Sequence, residues 1–238
     1  MNKKIDLYKD GIGCVEYVQH MGDDLTIVNA ARVSFGVNKN EVDERDKKLI
    51  RYLVKNKHTS TLEHNVVTFR FTVPLFVRGQ HHRHRTWSYN EISRRYTDVN
   101  IRFYEPNEFR TQHKSNRQAS NEEDTINPEI NINIPGCVQP VPRLASDLIK
   151  TYHKNSLKLF DDLINAGVCR EQARGVLPQN MYTEYYGTVN LNNLIKFINL
   201  RDHDHAQWEI QRVAKACAEI AKDLWPVAMT TFENTKII

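Results

Sequence analysis

Glycine is scarce in this chain, 9 residues of 238, and none of them forms a G-x-G-x-x-G run. A glycine-rich phosphate loop of the Rossmann type is therefore excluded, and any bound phosphate must be held by side chains. Cysteine is sparse too. Cys14, Cys137, Cys169 and Cys217 lie far apart with no C-x-x-C pair. That spacing fits reduced thiols in a cytoplasmic protein and not a disulfide framework. No stretch approaches the roughly 18 to 20 consecutive apolar residues that a membrane span needs. The opening MNKKIDLYKDGIGCVEYV carries lysines but no apolar core, so no secretory signal is expected. H-E-x-x-H is missing as well. The histidines at 81, 82, 84, 203 and 205 have arginines for neighbours in place of clustered carboxylate or thiolate ligands, so no metal site is expected.

What is present is otherwise ordinary: 40% hydrophobic and 26% charged residues, enough for a real core, with 1–238 expected to form a single domain. A net charge of +4 is too mild to point to nucleic acid. Its distribution says more. Between Arg78 and Arg95 stand Arg83, Arg85 and Arg94 with His81, His82 and His84, and the only acid among them is Glu91. Such a concentration calls for an anionic ligand.

Periodicity gives the elements. Leu49, Ile50, Leu53 and Val54 share a helix face after a capping Asp43. Val67, Phe69, Phe71 and Val73 alternate with Thr68, Arg70 and Thr72 in a half-buried strand that Pro74 ends. Leu75 to His84 continues as a helix, placing the arginine cluster at the end of an element fed by a sheet. IRFYE at 101–105 reads as a short strand. The polar composition of 107–142 reads as a surface insertion. A long helix is expected from about 142 to 166, with Leu144, Leu148, Tyr152, Leu159 and Leu163 inward and Gly167 as its stop. CREQARGVL is a short helix ending at Pro178, MYTEYYGTV a strand, and LNNLIKFINLR a helix capped by Asn190. A last helix is expected over 203–225, stopped by Pro226. Strands and helices mix without a βαβ rhythm, so the class is α+β.

Residues 83 to 95, RHRTWSYNEISRR, match R-H-R-x-x-S-x-N-E-x-S-x-R at all eight specified positions. HTSTLEH (58–64), ARGVLPQNMYTEYYGTVN (173–190) and FINLRDHDHAQWEIQ (197–211) follow in the order of further family blocks. In these segments the chain resembles the flavin-dependent thymidylate synthases, the ThyX family, over most of its length outside the insertion. The resemblance implies a curved, mainly antiparallel sheet packed with helices, assembled as a homotetramer whose sites are shared between subunits. It implies reductive methylation of dUMP to dTMP, with FAD as cofactor, methylenetetrahydrofolate as carbon donor and NADPH as reductant. Neither nucleic acid nor membrane is an expected partner.

Residue by residue, the resemblance assigns Arg83, His84, Arg85 and Thr86 to the flavin nucleotide, with His58, Ser60, Asn190, Leu191, Asn192 and Lys196. Lys196 stands where family members often carry asparagine. The dUMP set is Gln80, His81, His82, Arg83, Glu91, Ile92, Ser93, Arg94, Arg95, Arg174 and Arg201, with Glu91 touching both ligands. Arg201 is the expected catalytic residue, set against the uracil edge. The chemistry is coherent without the family name, because planar guanidiniums make paired, charge-assisted bonds to phosphate. A cation at the uracil edge favours the N3-deprotonated pyrimidine and so removes the need for a thiolate attack at C6.

No cysteine has an evident activating neighbour, and no nucleophilic cysteine is assigned; Cys137 lies inside the polar insertion. Ser93 has no base fixed beside it in sequence and reads as a phosphate ligand rather than a nucleophile. His203 and His205 read as residues at the start of the last helix. Two rival functions stand beside this one. RGQHHRHRTWSYNEISRR interleaves arginines with Trp87, Tyr89 and Tyr96, as a nucleic-acid-binding surface does. A related enzyme could also hydroxymethylate a pyrimidine or act on another nucleotide.

Overall fold

The computed structural model describes residues 2–235, apart from 118, 134 and 137. In chain order the strands are β1 (Lys4–Asp6), β2 (Cys14–Met21), β3 (Val66–Pro74), β4 (Ser88–Glu91), β5 (Phe109–Gln112), β6 (Ser120–Ile126), β7 (Glu129–Ile132), β8 (Val141–Leu144) and β9 (Tyr182–Asn190). The helices are α1 (Asp24–Arg32), α2 (Glu44–Lys55), α3 (Leu75–His81), α4 (Ala145–Asn165), α5 (Arg170–Ala173), α6 (Leu191–Arg201), α7 (Trp208–Leu224) and α8 (Pro226–Thr235). None of them is long and apolar enough to cross a membrane. The chain divides into two units, one of Met1–Val73, Val77–Glu91 and Glu184–Ile238, the other of Pro74–Phe76 and Ile92–Thr183.

In the first unit a five-stranded sheet has the order β1-β2-β3-β9-β4, with β1–β2, β2–β3 and β4–β9 antiparallel. The fold is α+β, as expected. β3 lies at the centre because its alternating residues suit a covered strand: Val67, Phe69, Phe71 and Val73 are fully buried. Its other face is covered as well, more than the alternation predicts. Thr68 shares a 2.9 Å hydrogen bond with Thr188 on the adjacent β9, which satisfies both hydroxyls away from water. Arg70 pairs with Glu184 at 2.8 Å. On β9, a Cβ at Gly187 would stand 2.8 Å from Cε2 of Phe71 and 3.2 Å from Cε3 of Trp87, so those rings occupy the space a side chain would need.

The helices of this unit start where the sequence places caps. Asp43 accepts from the amide of Asp46, and Asp46 bonds back in a capping box; Ile50 and Leu53 then face inward. Asn190 accepts from the amide of Asn193 at 2.9 Å and opens α6. The last predicted helix is different. Residues 203–207 are not helical, and α7 begins at Trp208, because Gln211 turns back and donates to the carbonyls of His203 (3.0 Å) and Ala206 (2.8 Å). Pro226 does not end the helical region; it is the first residue of α8, where its missing N–H costs nothing. The buried Asp24 carboxylate accepts from the amides of Val227 (2.8 Å) and Ala228 (3.2 Å) and caps that helix from a distance in sequence.

In the second unit, IRFYE forms only an isolated bridge, Phe103 to Met181, instead of a strand. Pro106, with no N–H, follows at once and cannot extend a ladder. From 109 to 144 the polar sequence makes two antiparallel strand pairs, β5–β6 and β7–β8, the second running two residues past the expected insertion boundary at 142. Side chains stabilise the first: Thr111 donates to Asp124 at 2.7 Å and Arg110 to Ser120 at 2.9 Å.

β8 takes residues 141–144, so α4 begins later than the composition suggests, and Gly167 at φ +90° follows its end. Its inward face is also corrected. Ala145, Ser146, His153, Ser156 and Phe160 are buried, whereas Leu144, Tyr152 and Leu159 are exposed. The polar members of that face are satisfied: His153 Nδ1 meets Glu105 at 2.8 Å, and the Ser156 hydroxyl donates to the Val176 carbonyl at 2.6 Å. Satisfied groups bury at little cost, which a hydrophobicity count does not register.

Candidate active site

β3 feeds directly into α3, as the sequence predicts, and α3 ends at His81. The chain then turns through His84 N to His81 O (3.0 Å) and Trp87 N to His84 O (3.3 Å), and returns as β4 beside β9. This reversal brings His81, His82, His84, Trp87 and Tyr89 around one aromatic cluster. His81 is completely buried. Its Nδ1 lies 2.8 Å from the Tyr185 hydroxyl, and its ring packs edge-on to Trp87 at 4.5 Å and Phe71 at 4.8 Å. Tyr89 stacks on His82 with centroids 4.1 Å apart and donates to the carbonyls of His81 (3.0 Å) and His84 (3.2 Å). Tyr185 is itself buried and fixes the His81 ring.

Burial holds the histidines neutral. His81 titrates well below an ordinary imidazole because it is desolvated, with His84, His82 and Arg201 adding to the effect. His84 is lowered to about 4, first by burial and then by Arg201. The geometry agrees. Arg201 Nε donates to His84 Nε2 at 3.0 Å, and Nη2 donates to the Gln80 carbonyl at 3.2 Å. A guanidinium only donates, so His84 Nε2 must accept and the proton sits on Nδ1. Burial likewise lowers Arg201 from its usual value.

Two further blocks meet at the other end of α6. Asn192 donates to Glu63 at 2.7 Å, and the Leu191 amide donates to the Asn65 carbonyl at 2.8 Å. The turn Thr59–Leu62 that carries Ser60 is thereby joined to Asn190, Leu191 and Asn192. Leu191 is fully buried, and its amide is already bonded to Asn65. His58 is exposed with its ring 5.5 Å from that of Tyr52. Lys196 is exposed one turn beyond Asn192. α6 therefore holds Asn190–Asn192 at its start and Arg201 at its end, about 16 Å apart at 1.5 Å per residue.

Arg83, Arg85 and Thr86 are exposed on the turn before β4. Arg78 and Glu91 pair at 3.1 Å. In contrast, neither Arg83 nor Arg85 makes an ion pair with a described residue. Two unneutralised guanidiniums, with Gln80, Asn190 and Asn192 as neutral donors, form a set suited to phosphate and a heterocycle. The residues present therefore fit a flavin nucleotide.

The second unit carries the remaining predicted residues. Ile92 is exposed. The Ser93 Oγ accepts from the Arg95 amide at 3.3 Å. Arg94 is buried and donates to the Val99 carbonyl at 2.7 Å, with its Nε left without a hydrogen-bond partner among the described residues. Arg95 is exposed, 3.5 Å from Glu171, and Arg174 is exposed on the 3-10 turn Arg174–Val176. Burial pushes the Cys14 and Cys217 thiols up, which disfavours the nucleophilic thiolate. Cys169 is exposed, and Cys137 lies outside the described residues. His203 and His205 lie exposed in the segment before α7, not at its start.

Sequence reading missed Gln207. It occupies the N-cap of α7 without capping it, and its side chain bonds to Gln80 and Glu209. A glutamine at that position, where Ser, Thr, Asp or Asn is usual, is the signal that could have found it.

The comparisons with known proteins agree with this arrangement. A family profile described as thymidylate synthase complementing protein (Thy1) matches residues 16–227. A flavin-dependent thymidylate synthase of Thermus thermophilus is 43% identical over 222 residues, covering 93% of this chain and 76% of that one. One from Thermosipho africanus is 40% identical over 220 residues, covering 92% and 90%. The crystal structure of a UMP/dUMP methylase, PolB, from Streptomyces cacaoi bound with 5-Br dUMP superposes with a TM-score of 0.76 at 32% identity, covering 97% of each chain. The aromatic cluster, the exposed arginine turn and the ends of α6 are thus features of a chain that belongs to the thymidylate synthase complementing protein family, a family of ThyX-type enzymes.

Proposed function

We propose that this chain is a flavin-dependent thymidylate synthase. It methylates dUMP to dTMP with methylenetetrahydrofolate as carbon donor, NADPH as reductant and FAD as bound cofactor. The observation that carries the reading is the pairing of Arg201 with a neutral His84 beside an exposed turn bearing Arg83 and Arg85, which make no ion pair with a described residue. The relatives' names support a flavin enzyme acting on a deoxyuridylate, and the Streptomyces cacaoi neighbour is described with a bromo-dUMP bound.

Arg83, His84, Arg85 and Thr86 hold the flavin nucleotide together with His58, Ser60, Asn190, Leu191, Asn192 and Lys196. Gln80, His81, His82, Glu91, Ile92, Ser93, Arg94, Arg95 and Arg174 hold dUMP, Ser93 through its hydroxyl to the phosphate. Arg201 spends Nε and Nη2 on His84 and Gln80, which leaves Nη1 for the uracil edge. A cation in that position lowers the N3 pKa by about 1 to 3 units, each about 1.4 kcal/mol. His84, neutral and accepting, orients Arg201 without competing for charge. The flavin, when bound, supplies the hydride chemistry that no side chain provides.

The protein acts as a homotetramer in the cytoplasm with sites shared between subunits, 1–238 forming one domain and 107–142 a surface insertion. The exposed Leu144, Tyr152 and Leu159 supply apolar surface for subunit packing.

The test is conversion of dUMP to dTMP by the purified protein, with NADPH or the folate omitted in turn and UMP offered in parallel. Formation of dTMP that needs both co-substrates supports the reading. Turnover of UMP but not dUMP redirects it to the ribonucleotide.

A further inference from the structure

Six residues, 202 to 207, link α6 to α7, and both Arg201 at the end of α6 and Gln207 at the end of this link are attached to one residue, Gln80. At one end Arg201 Nη2 donates to the Gln80 carbonyl at 3.2 Å. At the other the Gln80 side chain donates to the Gln207 Oε1. Gln207 is oriented in turn: its Nε2 donates to Glu209 Oε2 at 2.8 Å, and Glu209 is buried. Between the ends, Gln211 holds the carbonyls of His203 and Ala206 at 3.0 and 2.8 Å.

The N-cap amides of α7 would normally be served by the residue at 207. Replacing a good N-cap by a residue that does not cap weakens the start of a helix. Gln207 has the side chain for a polar contact and does not use it on the first backbone amides of α7. The amide instead satisfies Gln80 with its oxygen and Glu209 with its nitrogen, since a carboxamide accepts at one atom and donates at the other.

We infer that Gln207 is a positioning residue for Arg201, with Gln80 as the clasp between them and Glu209 as the group that fixes the amide's orientation. The inference rests on the role proposed for Arg201. Without Gln207 the segment stays tethered by Gln211 but is no longer pinned against Gln80, and the guanidinium loses the fixed angle that its contact with the uracil edge needs. Misplacement of a catalytic group by about 1 Å costs on the order of 100-fold in rate.

The chemistry supplies a test that a merely structural role does not pass. In Gln207→Glu the oxygen toward Gln80 is kept, but a second carboxylate faces Glu209. Two carboxylates at that distance hold one proton between them, and the shared proton's pKa is raised. At low pH the proton restores a donor and the arrangement closes. As pH rises the proton leaves and the two groups repel. Gln207→Glu relative to wild type is therefore expected to lose kcat by about 10- to 100-fold at high pH, with KM for dUMP little changed, and to recover as pH falls. The double variant Gln207→Glu with Glu209→Gln reverses donor and acceptor, and is expected to restore kcat and remove the extra pH dependence.

Kinetics of the flavin-loaded enzyme over a pH series, with flavin content and thermal unfolding measured on each variant, read this out. Equal losses in the single and double variants, or a single variant whose kcat follows wild type at every pH, overturn the inference. If Arg201→Ala itself turns over normally, the proposed role of Arg201 fails instead. The two failures are therefore distinguishable.

Discussion

Arg201 donates from Nε to Nε2 of His84 at 3.0 Å, across 117 positions of sequence. This bond requires a neutral imidazole, and burial together with Arg201 keeps it so, at about 4. An unfolded histidine titrates near 6.5. The unfolded chain therefore binds a proton between pH 6.5 and 4 that the native site refuses, and stability is lost as pH falls through that window. Above it the term vanishes. His81, lowered in the same direction, adds to the loss. Denaturant unfolding at stepped pH should show constant stability above about 6.5 and a decline below. His84→Gln, which still accepts from Arg201, should show a shallower decline. An identical slope in both proteins would contradict this account of the pair.

Arg201→Ala should leave flavin binding intact and slow dTMP formation by roughly 10- to 1,000-fold, the span of a 1 to 3 unit shift at about 1.4 kcal/mol each. Rate and flavin absorbance measured on the same preparation separate these effects. Turnover near wild type would reject activation by this arginine.

Arg83→Ala and Arg85→Ala remove the exposed guanidiniums of the turn before β4. A hydrogen bond to a charged group is worth about 1.5 to 3 kcal/mol, so each variant should bind flavin roughly 10- to 150-fold more weakly. Fluorescence titration of flavin into the stripped proteins measures this directly. Unaltered affinity in both variants would move the phosphate site elsewhere.

Gly187→Ala tests the packing beneath the site. The added methyl would lie 2.8 Å from Phe71 and 3.2 Å from Trp87, both rigid rings. Overpacking of this kind costs about 1 to 3 kcal/mol. At about 2 to 4 °C per kcal/mol for a chain of this size, Tm should fall by roughly 2 to 12 °C. An unchanged Tm would mean that the rings yield freely.

The sequence and the structure agree where information is local. The alternation of Val67, Phe69, Phe71 and Val73 gives β3, and Asp43 and Asn190 mark helix starts by side-chain caps formed within three residues. The departures come where partners are distant or polar. Nothing in the polar run 120–126 marks a strand, because the β5–β6 hairpin relies on pairs such as Thr111 with Asp124 in place of an apolar face. Tyr152 and Leu159 of α4 lie exposed while His153 and Ser156 are buried, because the latter find partners at Glu105 and Val176. The same division holds for the site. Arg83 to Arg95 can be read as one linear signature, whereas Gln207 and Tyr185 reach Gln80 and His81, just before it, through bonds spanning more than 100 positions. Hydrophobic period and spacing carry no trace of such bonds.

The central claim is that guanidiniums and a bound flavin replace a nucleophilic thiol in pyrimidine methylation. Turnover of dUMP by the yellow protein, compared with the same preparation stripped of flavin and then reloaded, tests it most directly. The account predicts that dTMP formation ceases on stripping, returns with FAD, and persists after alkylation of the exposed Cys169. Turnover by the colourless protein, or its loss on alkylating that thiol, would contradict it.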